Sequence, residues 1–331
     1  MKKIILTLFL AIMATTGLYA QQISVVSSGG ETSLYRTLGE AIQGAAPNSV
    51  IYLPGGGFTI SDDVKITKKL TIIGIGHKSN NDNVDGNTTI SGNLWFNEGS
   101  SGSAVMGCYI IGTVVIGDGD STINDILIRY CNLNSVDVRN NKCQRTTINQ
   151  NYIRNSISFN GAGGIVSNNI LHSINNLVGG FVKNNILTSV RHYSTGELGY
   201  NTSYDHVIRG SNCTITNNVF ISSYNPYYRG DCVTYGNILY NRDWGENSIN
   251  MGNVDWNDVF VNFDGGTISP NSDFHFKDAY KQYESQVGIY AGTGFNDKQI
   301  APVPFIIAKD VKEQTDASGK LNVKFRVKAV E

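Results

Sequence analysis

The stretch Asn168-Asn169-Ile170-Leu171 decides the fold, because close copies of it return along the middle of the chain. The copies are Asn184-Asn185-Ile186-Leu187, Asn217-Asn218-Val219-Phe220 and Gly236-Asn237-Ile238-Leu239. A unit this short cannot bury its own apolar side chains, so the copies must stack on one another to build a core. The sequence therefore predicts a solenoid.

The spacing of one asparagine gives the length of each turn. Apolar residues recur at three points of each interval, which predicts three short strands per turn. The asparagines are Asn132, Asn151, Asn169, Asn185, Asn201, Asn218 and Asn237, separated by 19, 18, 16, 16, 17 and 19 residues. The predicted inward residues form three sets: Ile153, Ile170, Ile186, Val219 and Ile238; Ile157, Ile174, Val190 and Val207; and Ile148, Ile165, Phe181, Ile215 and Val233.

The recurring asparagine is predicted to be structural. Asparagine tolerates left-handed backbone angles better than other residues with a side chain, so it suits a corner of the solenoid. Stacked amides about 4.8 Å apart can also form hydrogen bonds from one turn to the next. We favour this interpretation over a catalytic one.

The N-terminal part predicts a helix followed by strands. Thr32-Ser33 can cap a helix whose apolar face runs from Leu34 to Ala45 and which ends at Pro47. Strand-like runs follow, and "LGEAIQGAAPNSVIYLPGGGFTI" with "KKLTIIGIG" resembles the cap and first turns of the pectin-lyase-like family of right-handed parallel β-helices. The resemblance covers roughly residues 23 to 295, and it implies a fold rather than an activity, because that family contains enzymes, adhesins and binding proteins.

The predicted fold is all-β: a single-stranded right-handed parallel β-helix with an N-terminal capping helix and a C-terminal β-hairpin tail. The predicted divisions are a signal peptide over residues 1–20, the β-helix domain over 21–295, and a linker with the hairpin over 296–331. Lys2-Lys3, the apolar run Ile4 to Met13 and Leu18-Tyr19-Ala20 are typical of a bacterial secretory signal. We therefore expect cleavage after Ala20 and a periplasmic or extracellular protein, with no membrane span.

Composition limits the class of partner. Lys+Arg 26 against Asp+Glu 27 gives a net charge of −1, which argues against general nucleic-acid binding. The 36 glycines and the low charged fraction of 16% favour short strands joined by tight turns over disorder. Nothing in the sequence decides the oligomeric state.

The cysteines are predicted to stack in pairs. Cys213 and Cys232 each lie five residues before a recurring asparagine, and Cys108 and Cys131 precede similar phrases. Side chains that stack in register run parallel, which suits a disulfide torsion poorly. We favour free, packed thiols, although a disulfide stays open for a secreted protein. The sequence contains no Cys or His cluster that indicates a metal.

The residues after the fourth asparagine predict a binding surface. If the register holds, aromatic, cationic and acidic residues of successive turns lie along one flank, where they suit sugar rings and acidic polysaccharides. In the pectin-lyase-like family the corresponding strand and corner form the substrate cleft, so the resemblance implies a substrate cleft on this flank. The predicted ligand-binding residues are Arg191, Tyr193, His206, Tyr227, Tyr228, Arg229, Arg242 and Trp244.

The function predicted is binding of a polysaccharide, cell-surface glycan or surface partner, without clear catalytic machinery. The alternative is a polysaccharide lyase or glycoside hydrolase acting on uronate-containing glycans, and the catalytic set is then unknown. The candidates for acid and base are Arg191, His206, Arg209, Asp231 and Asp243. No cofactor and no metal are predicted, except calcium if the protein is a lyase. Whether the protein is an enzyme stays open.

Overall fold

The protein is a parallel β-helix, as predicted. The computed structural model describes residues 22–78, 86–188, 208–221, 231–263, 269, 271–292, 294–297 and 299–300, and the backbone of two further strands at 305–311 and 323–328. Two long, mainly parallel sheets run the length of this part of the chain, and a separate antiparallel hairpin follows them. Within the described residues no helix is long and apolar enough to cross a membrane.

The first long sheet, sheet A, has eleven strands in the described part of the chain; the two N-terminal strands pair antiparallel at its edge, and each of the others comes from a successive turn of the solenoid. In order across the sheet they are β2 (Thr32–Tyr35), β1 (Ile23–Val26), β3 (Ser49–Leu53), β6 (Leu70–Gly74), β9 (Ala104–Met106), β11 (Leu127–Arg129), β13 (Thr146–Asn149), β15 (Gly164–Ser167), β17 (Phe181–Lys183), β20 (Thr214–Thr216) and β22 (Val233–Tyr235).

The second long sheet, sheet B, has thirteen strands. Its main path is β24 (Ile249–Asn250), β23 (Ile238–Leu239), β21 (Val219–Phe220), β18 (Ile186–Leu187), β16 (Ile170–Val178), β14 (Tyr152–Ser158), β12 (Asn132–Val138), β10 (Tyr109–Ile116), β7 (Thr88–Ser91) and β4 (Gly56–Thr59), and β5 (Lys65–Ile66), β8 (Leu94–Phe96) and β19 (Ile208–Ser211) pair beside it.

Three strand segments per turn occur as predicted in much of the solenoid, for example β3, β4 and β5 in one turn and β17, β18 and β19 in another. Sheet B bends along its length, because the register of β12 with β14 shifts between Leu133 and Val136, and β14 with β16 shifts between Ile153 and Ser156. The strand before the bend and the strand after it therefore form two faces of the solenoid, and sheet A forms the third. At β16 the two parts have separate partners, β18 before the bend and β19 after it.

The predicted inward residues are correct for some positions and wrong by one for others. Ile148, Ile153, Ile157, Ile174 and Ile215 lie in the core as predicted. Three of the third set face outward instead: Ile165, Phe181 and Val233 are 37%, 52% and 63% exposed. The register places Val166 and Val182 beside Ile148 in the core. In Ile165-Val166 and Phe181-Val182 the second residue, not the predicted first one, points inward.

A second correction concerns the residue directly after each recurring asparagine. Ile170, Ile186, Val219 and Ile238 were predicted to point inward, but they belong to a different apolar cluster that also contains C-terminal residues such as Phe260. The next residues along the chain, Leu171, Leu187, Phe220 and Leu239, fill the core of the solenoid. Both residues of each of these apolar pairs are buried. The alternation of apolar and polar residues therefore does not show which of the two enters the core of the solenoid. Val190 and Val207 lie outside the described residues.

Buried asparagines form a continuous column through the solenoid. Asn169 is fully buried; its Nδ2 donates to the Oδ1 of Asn185 at 3.1 Å and to the Ile148 carbonyl at 2.8 Å. Its own Oδ1 accepts from the backbone N–H of Asn151 at 2.9 Å. The same side-chain bond joins each neighbouring pair of what we call the asparagine ladder: Asn151, Asn169, Asn185, Asn218 and Asn237.

Two of the recurring asparagines are not part of this ladder. The register aligns Asn132 with Tyr152, so Cys131 takes the ladder position and donates its backbone N–H to the Oδ1 of Asn151 at 2.9 Å. Asn201 lies outside the described residues, and the ladder passes directly from Asn185 to Asn218 with an Nδ2–Oδ1 distance of 2.9 Å. The next ladder member after Asn185 is therefore Asn218.

The residue with left-handed backbone is the one before each ladder amide, not the ladder amide itself. Asn168, Asn184 and Asn217 have φ of 54°, 57° and 55°, and Gln150 has 57°. In each Asn-Asn doublet the first residue turns the corner and the second fills the core. The predicted position of the corner is therefore correct to within one residue. Turning the corner and stacking in the core, which were predicted for one asparagine, belong to two neighbouring asparagines.

The capping helix is shorter than predicted. Helix α1 (Leu38–Gly44) begins at the cap Thr37, whose hydroxyl accepts from the Glu40 backbone N–H while the Glu40 carboxylate accepts from the Thr37 N–H. Leu34 lies in β2 and is 59% exposed, so the helix begins later than the apolar pattern indicated. Its buried face, Leu38, Ala41 and Ile42, joins the core.

The C-terminal part packs on the outside of the solenoid. Its elements are helix α2 (Trp256–Val259), β25 (Phe260–Asn262), β26 (Asp273–Phe276) and a 3-10 helix (Asp278–Tyr283). Trp256 donates its indole N–H to the Ile221 carbonyl at 2.8 Å. These elements bury the outward row described above, from Tyr152 to Ile238. The predicted hairpin tail follows as β27 (Phe305–Val311) and β28 (Val323–Lys328), paired antiparallel.

Residues 285–300, which we call the strap, run back along the corner of the solenoid. The N–H of Gly288 bonds to the Asn217 carbonyl at 2.8 Å, and the amide of Asn168 donates to the Ile289 and Ala291 carbonyls, both at 2.9 Å. Further on, the Asn296 N–H bonds to the Gln150 side chain at 2.7 Å. The side chains of the left-handed corner residues thus hold a segment that is distant in sequence.

The strap ends at a buried histidine. The Oε1 of Gln299 can only accept, so the Nε2 of His77 donates to it, at 3.3 Å. His77 also packs edge-on against Tyr152, whose ring contacts Phe295 of the strap in the same way. Burial lowers the pKa of His77 to about 4, so this histidine is neutral in the folded protein at neutral pH.

We expect Asn169→Ala to lower the free energy of unfolding by about 3 kcal/mol. The substitution removes one ladder amide and leaves buried donors and acceptors of two neighbouring turns without partners. Urea unfolding followed by circular dichroism measures this. Asn175→Ala, on the outward side of β16 next to the inward Ile174, is the matched control and should change stability by roughly 0.5 kcal/mol or less. Equal losses in both variants would contradict the structural role of the ladder.

His77 should make stability depend on pH. The unfolded chain takes up a proton near pH 6.5, whereas folded His77 resists protonation until about pH 4. Stability from this group is therefore complete above pH 6.5 and is lost as the pH falls towards 4. Between pH 7.5 and 5, the wild type should lose roughly 2 kcal/mol more than His77→Gln in urea unfolding. Parallel losses in the two proteins would show that His77 does not carry this effect.

Candidate functional site

The predicted ligand residues follow three strands that end at stacked positions. Leu187, Phe220 and Leu239 pair in register, and each is the last residue of its strand. The next strand described after Leu187 is β19, so Arg191 and His206 both come between β18 and β19 in the sequence. Arg191, Tyr193, His206, Tyr227, Tyr228 and Arg229 all lie outside the described residues.

The third connection, between β23 and β24, is described. Trp244 is partly exposed and packs edge-on against the core residue Phe220, with ring centroids 5.4 Å apart. Its ring therefore covers the core at Phe220 while part of it stays exposed. Arg242 is partly exposed, and Asp243 is exposed.

The remaining catalytic candidates do not form a cluster that the structure displays. Asp231 is exposed and lies before β22, and Arg209 lies in β19, where only its backbone is described. Among the described residues no group of three or more His, Cys, Asp or Glu is placed to hold a metal ion.

The structure shows a different candidate site, a groove on the outer face of sheet A beside the strap. This sheet A groove has a volume of about 490 Å³. Gly292 of the strap forms one wall, and the floor comes from strands β11, β13, β15 and β17. The lining residues are Leu127, Arg129, Thr147, Asn149, Ile165, Ser167, Asn168, Lys183, Asn184 and Gly292.

The register of sheet A sorts the lining side chains into two columns. Arg129, Asn149, Ser167 and Lys183 lie one above another, so two neutral hydrogen-bonding groups lie between two cations along the solenoid. Leu127, Thr147 and Ile165 form the parallel column two residues earlier on each strand, and the exposed Phe181, which is not part of the lining, continues this column. The groove therefore offers a polar side and a mostly apolar side, which is the usual make-up of a ligand site.

The charged residues that line the groove are both cations. Arg129 packs its guanidinium over the Tyr130 ring at 4.4 Å, and its buried Nε has no hydrogen-bond partner within the described structure. Lys183 is exposed. Three strand spacings separate the two residues, which places their backbones about 14 Å apart. An extended anion lying along the solenoid axis could contact both.

A carboxylate near the start of these strands is already engaged. Asp125 accepts two hydrogen bonds from Arg145, both at 2.7 Å. These bonds lower the pKa of Asp125, so it stays ionised and paired. The pair does not add an available acid or base to the groove.

A second hollow of about 480 Å³ continues along the strap from the first. It shares Asn184 and Gly292 with the sheet A groove and adds Asn217, Tyr235 and Asn247. Together the two hollows follow the strap over successive turns, from Leu127 to Ile249. The path suits a long ligand better than a small compact one.

The sequence contains a pattern that marks this site. Arg129, Asn149, Ser167 and Lys183 each stand two residues before a ladder position, as Tyr235 does before Asn237. Charged and aromatic residues are denser after the recurring asparagine, which is why the predicted binding residues lie there. The residue two positions before each ladder position lies on the outer face of sheet A. The strap that turns this face into a groove comes from a distant part of the chain and cannot be predicted from the repeat.

No protein-family model matches the chain, and comparisons with curated proteins and with solved structures found no match either. The resemblance to the pectin-lyase-like family therefore stays a prediction from the quoted motifs.

Trp244→Ala should destabilise the protein by about 2 kcal/mol, because it uncovers the Phe220 ring at the end of the core. Trp244→Phe should keep most of the stability. The measurement is the free energy of unfolding in urea. Tyr235→Ala, at a 44% exposed aromatic residue in the adjacent turn, is the control and should cost roughly 0.5 kcal/mol or less. A Trp244→Ala protein as stable as the wild type would show that this indole is not part of the core.

Proposed function

We propose that this protein is a non-catalytic, carbohydrate-binding β-helix protein that takes an acidic polysaccharide along the sheet A groove. The observation that carries the proposal is the column Arg129, Asn149, Ser167 and Lys183 beside an apolar column. In keeping with the N-terminal signal sequence, we propose that it acts outside the cytoplasm on a soluble polysaccharide or a cell-surface glycan.

The chemistry of the groove favours a sugar chain that carries carboxylates. Arg129 and Lys183 can form charge-assisted hydrogen bonds with uronate groups, which are stronger than neutral ones. Asn149 and Ser167 lie between them and can bond to hydroxyls. Ile165 and Phe181 offer apolar surface to the faces of sugar rings.

The same lining argues for binding rather than for turnover. A glycoside hydrolase needs two carboxyl groups around the scissile bond, and no Asp or Glu lines the described groove. General acid–base catalysis most often uses histidine, and no histidine lines it either. The alternative, a lyase or hydrolase acting on acidic glycans, would have to use the connections that contain Arg191 and His206.

Lys183→Gln should weaken binding of polygalacturonate roughly three- to ten-fold at low salt, because it removes one of the two cations of the groove. Isothermal titration or affinity electrophoresis measures the change, and the difference between variant and wild type should shrink as salt is added. Lys142→Gln is the matched control, since Lys142 is an exposed lysine paired with Asp120 outside the groove. A neutral glucan should bind weakly to all three proteins.

Two results would overturn this proposal. Equal affinities of Lys183→Gln and Lys142→Gln for the polyuronate would remove the groove from the binding surface. Release of unsaturated product from uronate glycans, followed by ultraviolet absorbance with and without calcium, would favour the enzyme, especially if Arg191→Ala or His206→Ala abolished it. Binding that is lost in Tyr228→Ala but kept in Lys183→Gln would assign the binding surface to the segment that contains Tyr228 instead of the sheet A groove.

A further inference from the structure

Two of the stacked cysteines differ from the others in their surroundings. Cys213 and Cys232 directly precede β20 and β22, whose first residues, Thr214 and Val233, pair in register. The two cysteines therefore lie on adjacent turns, one strand spacing of about 4.8 Å apart. That separation is within the range that a disulfide spans. All five cysteines of the structure are free thiols.

The Cys232 side chain reaches across to the neighbouring turn. Its Sγ accepts a hydrogen bond from the backbone N–H of Cys213 at 3.3 Å, and it also approaches the Gly210 carbonyl at 3.8 Å. Because both cysteines come before the first paired residues, strand pairing does not force their side chains to run parallel. The objection that stacked side chains suit a disulfide torsion poorly is therefore weaker here than inside a strand.

Accessibility separates this pair from the other stacked pair. Cys108 and Cys131 are both fully buried, and the Sγ of Cys131 bonds to backbone carbonyls of Val105 and Arg129. Cys232 is partly exposed, whereas Cys213 behind it is 1% exposed. A small oxidant can thus reach one thiol of the Cys213 and Cys232 pair and none of the other. Cys143 is also fully buried.

We propose that Cys213 and Cys232 form an oxidation site, at which exchange with a small disulfide such as oxidised glutathione links two adjacent turns of the solenoid by a disulfide bond. The accessible Cys232 and the in-register Cys213 behind it are the observations that carry this inference. It does not depend on what the sheet A groove binds.

The chemistry balances as two successive exchanges. The Cys232 thiolate attacks one sulfur of the small disulfide, which breaks that S–S bond and releases one thiol after it takes up a proton. Cys213 then loses its proton to solvent and attacks the Cys232 sulfur of the mixed disulfide, which releases the second thiol. Two protein thiols are oxidised, and one small disulfide is reduced to two thiols.

The assignment of Cys232 as the attacking group follows from burial. Desolvation raises the pKa of the Cys213 thiol, which lowers its thiolate fraction in the free dithiol. Cys213 becomes reactive only when the mixed disulfide places an electrophilic sulfur beside it. The exposed Cys232 therefore attacks the small disulfide first, and the buried Cys213 then attacks the mixed disulfide.

The bond would fasten the last strand of sheet A. β22 is the final strand of this sheet, pairs with β20 on one side, and has an isolated bridge from Tyr235 to Glu246 on the other. A link at Cys232 holds the start of β22 to the preceding turn and closes the chain between the two cysteines. Closing a loop of this kind restricts the unfolded chain and should stabilise the fold.

The test is peptide mapping under non-reducing conditions after the native protein is incubated with oxidised glutathione. The expected result is one cross-linked peptide pair joining Cys213 to Cys232, with Cys108, Cys131 and Cys143 alkylated only after denaturation. The melting temperature should rise by about 5 °C and return to its starting value on reduction with dithiothreitol. Amide exchange of residues 233–235 should slow in the oxidised form.

Cys232→Ser supplies the control. This variant should keep the melting temperature of the reduced wild type and should not respond to oxidised glutathione. A stable glutathione adduct on Cys232 of the wild type, without the cross-link, would overturn the proposal, as would a cross-link between Cys108 and Cys131 alone. A cross-link that leaves both the melting temperature and the exchange of β22 unchanged would overturn the role assigned to it.

Discussion

Burial of the ladder amides is the constraint on which the rest of the structure depends. An amide such as that of Asn169 has an acceptor and two donors with no access to water, so each must find a partner in the protein. The partners lie in the turns directly before and after, at a single register. A shift of one residue would leave unsatisfied groups in every turn at about 1–3 kcal/mol each. The ladder therefore fixes the corner while connections elsewhere in the turn can lengthen, as between Leu187 and Ile208.

The asparagine doublets divide two tasks between neighbouring residues. In Asn168-Asn169 the second side chain joins the ladder, and the first adopts the left-handed backbone and turns its amide towards the strap. The strap is thus held by the same corner that the ladder sets, and the wall of the sheet A groove depends on both. The C-terminal elements cover the outward apolar residues of the first part of sheet B.

The spacing of the repeat predicted some features of the fold correctly and others wrongly. The stacking of turns, the three strands per turn and the in-register cysteine pairs were predicted, because they follow from spacing alone. Asn132 was assigned to the ladder by spacing as well, and this assignment was wrong, since Cys131 occupies that position. Asn201 lies outside the described residues, and the ladder passes from Asn185 directly to Asn218. Ile165 and Phe181 were placed in the core, although both are exposed on the outer face of sheet A and Ile165 lines the groove.

What the sequence by itself determined is the length and stacking of the turns, because an apolar unit too short to fold alone must pack against its copies. What only the tertiary structure decided is which of two adjacent apolar residues enters the core. In Ile170-Leu171 both side chains are buried, the leucine in the solenoid and the isoleucine beneath the C-terminal elements. Those elements come from residues 254–300, so the outward row and the groove beside the strap exist only after distant parts of the chain meet. The alternation of apolar and polar residues within a strand contains no information about such contacts, so the groove beside the strap could not be predicted from the repeat.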